Sequence, residues 1–316
     1  MNNGIEKYLS ELKKELSGSD RATIQDALSD AEEHLRTALN SAVDADPKIS
    51  KSEALTAIVE KYGAPGEVAA AYKEIESRTP PAFARPVYKE SKTEVAPEVA
   101  EPVTPDTRPF YLKFFGVFAE PRAWGALLYL IFAMATGIIY FTWAVTGLSL
   151  SVSLLILIIG IPIAGLFLLS VRGIALVEGR IVEALLGVRM PRRPLFSRKD
   201  ISWWQKIKGM LTSQHTWTAI VYMILQMPLG VIYFTVIITL ASVSLWGIAI
   251  PILQLGFDIP VSMIYDGHHY AYYYLAGWMM PVTIIGGILL LTATMHLVKA
   301  AGRLHGNLAK VMLVRE

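Results

Sequence analysis

The sequence predicts an all-α protein in two unlike parts, a small soluble helical bundle and a polytopic membrane domain of two duplicated hairpins, joined by a Pro-rich linker. Three observations predict it. The chain holds several apolar runs long enough to cross a bilayer, its charge changes sign along its length, and its first quarter repeats apolar residues at helical spacing. Of 316 residues, 53% are hydrophobic and only 18% charged, against roughly 25% charged in an average soluble domain. Residues 1–77 carry a net −6, residues 78–108 a net 0 and residues 109–316 a net +8, which the overall +2 conceals. There is no Cys, which excludes disulfide frameworks, Cys-ligated metal and thiol catalysis.

Residues 1–77 read as four helices. Ile5, Tyr8, Leu9, Leu12 and Leu16 form one apolar stripe, closed by Gly18, with Ser19 or Asp20 as the next N-cap. A second helix, about Arg21 to Val43, carries Ile24, Ala27, Ala31, Leu35 and Leu39. A third runs through Ala54, Leu55, Ile58 and Val59 to Gly63, and a fourth from Gly66 presents Val68, Ala69 and Tyr72. His34 reads as a helix-surface side chain or as a phospho-acceptor. No Gly-rich ATP-binding segment accompanies it. The first 20 residues lack the apolar core of a signal peptide, so the N-terminus is expected to stay in the cytoplasm. Residues 78–108, with Pro80, Pro81, Pro86, Pro97, Pro102 and Pro105, are expected to be a flexible linker.

Four apolar runs follow: Trp124–Leu148, Leu150–Val171, Trp217–Ala241 and Leu275–Val298, the first two expected to meet in a turn at Gly147-Leu148-Ser149. Trp124, Tyr129, Gly137, Tyr140, Phe141 and Thr142 recur 93 residues later as Trp217, Tyr222, Gly230, Tyr233, Phe234 and Thr235. Arg172, Gly179, Leu185 and Leu186 compare, 127 residues on, with Lys299, Gly306, Met312 and Leu313. The change of offset places an insertion at about 242–274 of the second copy. Each copy is expected to end in an amphipathic tail, Arg172–Arg189 and Lys299–Val314, lying along the inner interface.

Lys and Arg are concentrated between Arg172 and Lys208 and in the C-terminal tail, and absent from Thr146–Ser151 and Ser242–Tyr274. The positive-inside rule then predicts a multi-pass plasma-membrane protein with both termini cytoplasmic. A fifth crossing at Leu245–Ile264 would reverse the C-terminus, so that segment is expected to re-enter or to lie in the outer interface.

Candidate functional residues are few. Asp258, Tyr265, Asp266, His268, His269 and Tyr270 fall within the insertion and are the candidates for meeting a ligand or signal, either as a sensing surface or as an interfacial aromatic belt. Trp124, Trp203, Trp204 and Trp217 are the candidate interface anchors. His296 reads as a proton-responsive group or a helix-packing hydrogen bonder. No catalytic residues, metal ligands or cofactor motif are found, so the chain is not expected to be an enzyme or to use a cofactor.

Residues 5–76 resemble the HAAS domain, a helical signalling module of prokaryotes, through Tyr8-Leu9, Leu12, Glu33-His34-Leu35, Tyr62-Gly63-Ala64-Pro65 and Val68-Ala69. Residues 110–313 resemble the "putative sensor" membrane domain through Pro121-Arg122-Ala123-Trp124, Tyr129, Gly160-Ile161-Pro162, Arg172 to Arg180, Leu185-Leu186-Gly187, Trp217 and Tyr222. The resemblance implies signal transduction. HAAS-type modules are associated with PadR-like transcriptional regulators, so it implies a cytoplasmic regulator bound in trans through residues 5–76, and a homo-oligomer is possible. A small transporter or channel is the alternative, and a lipid-acting membrane enzyme a more distant one. No direct contact with nucleic acid is expected.

Overall fold

The computed structural model describes residues 3–46, 49–78, 109–154, 160–192, 203–265 and 267–314. Among them are ten α-helices and one two-stranded sheet. The chain divides into two compact units: Met1–Ala84, Thr136–Pro228 and Leu304–Glu316 form the first, Arg85–Ala135 and Leu229–Arg303 the second. The expected linker lies almost wholly outside the described residues.

The first unit opens with helices α1 (Asn3–Glu15), α2 (Arg21–Ala45), α3 (Lys51–Tyr62) and α4 (Pro65–Arg78). Their boundaries follow local chemistry. The Asp20 side chain caps α2 by accepting from the Ala22 N–H at 2.9 Å. Gly63, at φ +110°, ends α3, and Pro65 opens α4, where its missing N–H costs nothing. Ile5, Tyr8, Leu12, Leu16, Ala27, Ala31, Leu35 and Ala69 form the core. The Tyr8 hydroxyl donates to the Gly63 carbonyl at 2.9 Å, tying α1 to the end of α3. Burial, with Tyr62 and Glu67 nearby, pushes the Tyr8 phenol up to about 12. His34 is exposed and stacks on the Tyr62 ring at 4.6 Å, which places it on the helix surface.

Four helices are long and apolar enough to cross a membrane: α6 (Pro121–Leu154), α7 (Gly160–Leu186), α9 (Gln214–Phe257) and α10 (Met279–Leu313). Large apolar side chains such as Phe132, Ile139, Leu166, Ile232 and Val282 are exposed along them, as a lipid environment allows. The remaining helices are α5 (Phe110–Phe115), continued by a 3₁₀ turn at Gly116–Ala119, and α8 (Trp203–Leu211).

Three expectations are corrected. Gly147-Leu148-Ser149 is no turn: α6 runs through it to Leu154. Gly147 serves packing instead, since a Cβ there would meet the Phe167 ring at 2.2 Å. The two tails are not separate interfacial helices. Arg172–Leu186 continues α7 and Lys299–Leu313 continues α10, because no helix breaker intervenes and the tails bury Glu178, Glu183 and His305. The segment from Ser242 to Phe257 is not separate from the third apolar run. It extends α9 to 44 residues, about 66 Å at 1.5 Å per residue, well beyond a hydrocarbon core of about 30 Å. Pro251 removes one helical hydrogen bond without ending the helix. The end comes at Asp258, whose φ of 55° and N–H to the Gln254 carbonyl form a left-handed cap.

In the second unit, the strands β1 (Ser262–Tyr265) and β2 (Tyr270–Tyr273) pair antiparallel beyond α9, with Tyr265 opposite Tyr270. Gln254 holds the base of this hairpin, donating to the Leu275 carbonyl at 3.0 Å and accepting its N–H at 2.8 Å. The α9–α10 contact is close. A Cβ on Gly287 would lie 2.7 Å from the Ser244 carbonyl oxygen. Midway along α10, His296 Nε2 bonds the Phe114 carbonyl at 2.8 Å and its ring stacks on Phe114. Lys299 pairs with Glu120. His296 is therefore a helix-packing group.

Several features recur at the 93-residue offset. The Trp124 indole N–H donates to the Phe118 carbonyl at 2.8 Å, and that of Trp217 to the Leu211 carbonyl at 2.7 Å. A Cβ on Gly137 would press on the Gln226 and Met227 backbone, and one on Gly230 on the Ala133 and Met134 backbone.

Candidate functional site

The first unit buries a polar group inside its apolar helices. Glu178 on α7 is 1% exposed and His305 on α10 fully buried. The Tyr140 hydroxyl of α6 donates to Glu178 Oε2 at 2.9 Å, and the Tyr222 hydroxyl of α9 to Glu178 Oε1 at 2.9 Å. Tyr222 also lies 2.9 Å from His305 Nε2. A hydroxyl has one proton to give. With that proton on the carboxylate, the Tyr222 oxygen accepts from His305 Nε2–H, which fixes the imidazole tautomer. Both Glu178 oxygens thus receive donors, the condition for burying a carboxylate among apolar residues. The group joins four helices and can hold or reposition a proton.

A second set of contacts begins one turn further along α7. Glu183 accepts from Arg180 at 2.8 Å and from Arg192 at 3.2 Å. The Arg192 backbone N–H donates to both carboxylate oxygens of Asp26 on α2, at 2.8 and 2.9 Å. Lys310 of α10 pairs with Asp20, and Arg189 lies 3.8 Å from Glu76 on α4. The acidic N-terminal helices are therefore seated on basic residues that follow α7 and end α10. Gly187, at φ +67°, turns the chain out of α7 so that Arg189 and Arg192 reach those partners.

The residues singled out from sequence lie elsewhere. Asp258 caps α9. Tyr265 and Tyr270 face each other across the hairpin with ring centroids 4.9 Å apart. His268 and His269 are exposed in its turn. Asp266 lies outside the described residues. Among the described residues no group of His, Asp or Glu has metal-site geometry. Trp124, Trp204 and Trp217 are each substantially exposed at the start of, or just before, a long apolar helix. Trp203 begins α8, but its side chain lies outside what the structure describes.

Sequence reasoning missed Glu178, His305, Tyr140 and Tyr222 as a group. Glu178 and His305 lie within the two segments expected to be interfacial tails. The signal was present: each immediately precedes a glycine of the 127-residue comparison, Gly179 and Gly306, and Tyr140 and Tyr222 belong to the 93-residue matches.

The HAAS family profile matches residues 7–71. The profile of the family described as "Putative sensor" matches residues 129–313, more than half of the chain, and takes in the buried group and the hairpin. No curated protein and no solved structure matches the chain. A membrane sensor or regulatory role fits the two domains and the four apolar helices. The chain belongs to the "Putative sensor" family, with a HAAS domain preceding its membrane helices.

Proposed function

We propose that the chain relays a membrane or envelope signal to a cytoplasmic protein through its HAAS domain, without catalysing a reaction itself. The observation that carries this reading is the seating of Asp20, Asp26 and Glu76 on Lys310, Arg192 and Arg189. A shift of α7 or α10 would strengthen or release those contacts. A signal acts only if it favours one arrangement over the other. The Asp20, Lys310, Glu76 and Arg189 side chains of this seam keep only 10–25% of their surface exposed, so a helix shift that opened it would return those charges to water.

The finer parts of the reading follow the sequence. The basic ends of α7 and α10 face the cytoplasm with both termini, and the β1–β2 hairpin lies outside, where Tyr265, Asp266, His268, His269 and Tyr270 meet the signal. Trp124, Trp203, Trp204 and Trp217 anchor the helices at the interface. The partner is a PadR-like transcriptional regulator bound through residues 5–76. The repeated Trp and Gly contacts support descent of the membrane helices from one duplicated hairpin. Crosslinking in native membranes followed by capture of the chain is expected to recover the regulator. Loss of residues 5–76 is expected to abolish recovery while insertion persists. Normal signalling by the truncated chain would overturn the reading.

A second reading has one observation behind it. Transport of an ion through apolar helices needs a polar group within them, and Glu178 with His305 supplies one. Ion flux into liposomes, lost in Glu178→Gln, would favour it.

A further inference from the structure

Beneath the seated HAAS domain the first unit encloses a cavity of about 110 Å³. Two basic side chains line it, Arg172 of α7 and His215 in the first turn of α9, and Gln25 of α2 closes its HAAS side. Its other walls are apolar or small: Leu169, Ala175, Leu176 and Gly179 of α7, then Met190, Pro191, Met210 and Leu313. No carboxylate lines it. Arg172 Nη2 reaches Thr216 Oγ1 at 3.4 Å, which aims the guanidinium at the start of α9. There the N-terminal end of the helix dipole adds positive potential.

We infer that this cavity binds the phosphate of an anionic phospholipid, with the acyl chains outside along α7. The head chemistry follows from a permanently charged guanidinium, a histidine and an amide in one cavity whose lining holds no carboxylate. The size admits a phosphate and its first substituents, not a whole lipid. The chain path follows from Leu169, which lines the cavity yet is 52% exposed, and from Leu166, one turn away on α7 and 60% exposed. Basic pockets among transmembrane helices bind lipid head groups by the same means. Gln25 makes the occupant a neighbour of Asp26, which is bonded to Arg192. Lipid binding would therefore bear directly on how the HAAS domain is seated. That consequence rests on the sensor reading above; the binding does not.

The test uses the full chain in detergent, with thermal shift and native mass spectrometry as readouts. The probes are dioleoylphosphatidylglycerol, dioleoylphosphatidylcholine and inorganic phosphate. Wild type is expected to retain one phosphatidylglycerol, at least tenfold more tightly than phosphatidylcholine. Arg172→Gln is expected to lose at least tenfold, and Lys208→Gln, exposed on α8 and outside the cavity, less than twofold. Gly179→Ala guards against a folding artefact. Its new methyl would sit 3.5 Å from Met190 Cβ, an ordinary contact, and narrow the cavity. It is expected to keep the lipid-free melting temperature and to weaken binding about threefold or more. Equal retention of the two lipids, or full binding by both Arg172→Gln and Gly179→Ala, would overturn the proposal. So would a full shift from millimolar inorganic phosphate that phosphatidylglycerol does not improve, which assigns the site to the free anion. Failure of the wild-type chain to retain phosphatidylglycerol, with HAAS-dependent capture of a partner intact, would sink this inference alone.

Discussion

The Glu178 group and the β1–β2 hairpin are two polar places among the long apolar helices, and they are built oppositely. In the first, every oxygen of a buried carboxylate has a donor and four helices supply the parts. In the second, all eight strand residues are exposed, and the aromatic rings stand on a ribbon held by main-chain pairing and by Gln254 at its base. Polar groups in the interior must be satisfied and so become fixed points of the fold. Polar groups on an exposed ribbon are accessible to solvent and to whatever approaches it. The difference predicts that stability is concentrated at the first place and specificity at the second.

Removing the carboxylate tests that division most severely. Glu178→Leu leaves the Tyr140 and Tyr222 hydroxyls and His305 buried around an apolar side chain. The expected loss is about 3–5 kcal/mol, the range for breaking a buried charged network from one side. Glu178→Gln keeps an oxygen acceptor and the shape, and is expected to cost about 1–2 kcal/mol. Thermal unfolding of the full chain in detergent, at one fixed scan rate, reads both. Equal and small losses would mean that the group does not hold the helices together.

Adjacent glycines in α10 offer a cleaner contrast nearer the hairpin. A Cβ on Gly287 would meet the Ser244 carbonyl oxygen at 2.7 Å and Ile248 Cγ1 at 2.8 Å, whereas one on Gly286 meets nothing within 4 Å. Gly287→Ala is expected to destabilise by about 1–3 kcal/mol through overpacking against a rigid backbone. Gly286→Ala is expected to stabilise by roughly 0.5–1 kcal/mol through helix propensity. Opposite signs at neighbouring positions would establish that α9 and α10 meet through backbone contact.

Tyr8 places a smaller, pH-dependent effect on the HAAS domain. Its folded pKa of about 12 stands above the ordinary value of 10. The neutral phenol is therefore favoured by folding, and its contribution is complete below pH 10 and lost as pH rises towards 12. Tyr8→Phe is expected to cost about 1 kcal/mol at neutral pH through the lost bond to Gly63 and to remove that part of the alkaline loss. Calorimetry of the N-terminal transition from pH 8 to 11.5 checks both.

How much could be read from the residues alone divides along physical lines. The four HAAS helices, their caps at Asp20 and Gly63 and their core were legible because the signals are local. The apolar runs were legible as spans for the same reason. Their ends were not. Gly147 resembles a breaker, yet the helix continues through it because the glycine makes room for Phe167. Glu178 and His305 looked amphipathic because no one-dimensional period tells a polar residue facing solvent from one facing three other helices. The hairpin residues drew attention for the converse reason, since aromatic and His side chains stand out in an apolar sequence.

The smallest expected effect on stability falls on those hairpin residues. His268 and His269 are exposed in the turn, and their replacement by Ala, singly or together, is expected to change stability by less than about 0.5 kcal/mol. Tyr265→Ala is expected to cost about 0.5–1 kcal/mol, because it removes the cross-strand ring contact with Tyr270. Gln254→Ala is the sharper control. It loses both bonds to Leu275 and loosens the ribbon at its base without touching an aromatic ring. If the hairpin meets the signal, the His268/His269 double variant alters the response of the regulated partner while the melting temperature stays fixed, and Gln254→Ala alters both. If the hairpin is only an aromatic belt, the double variant leaves the response intact. The division between a stabilising interior group and a receptive exposed ribbon would then fail at its second half.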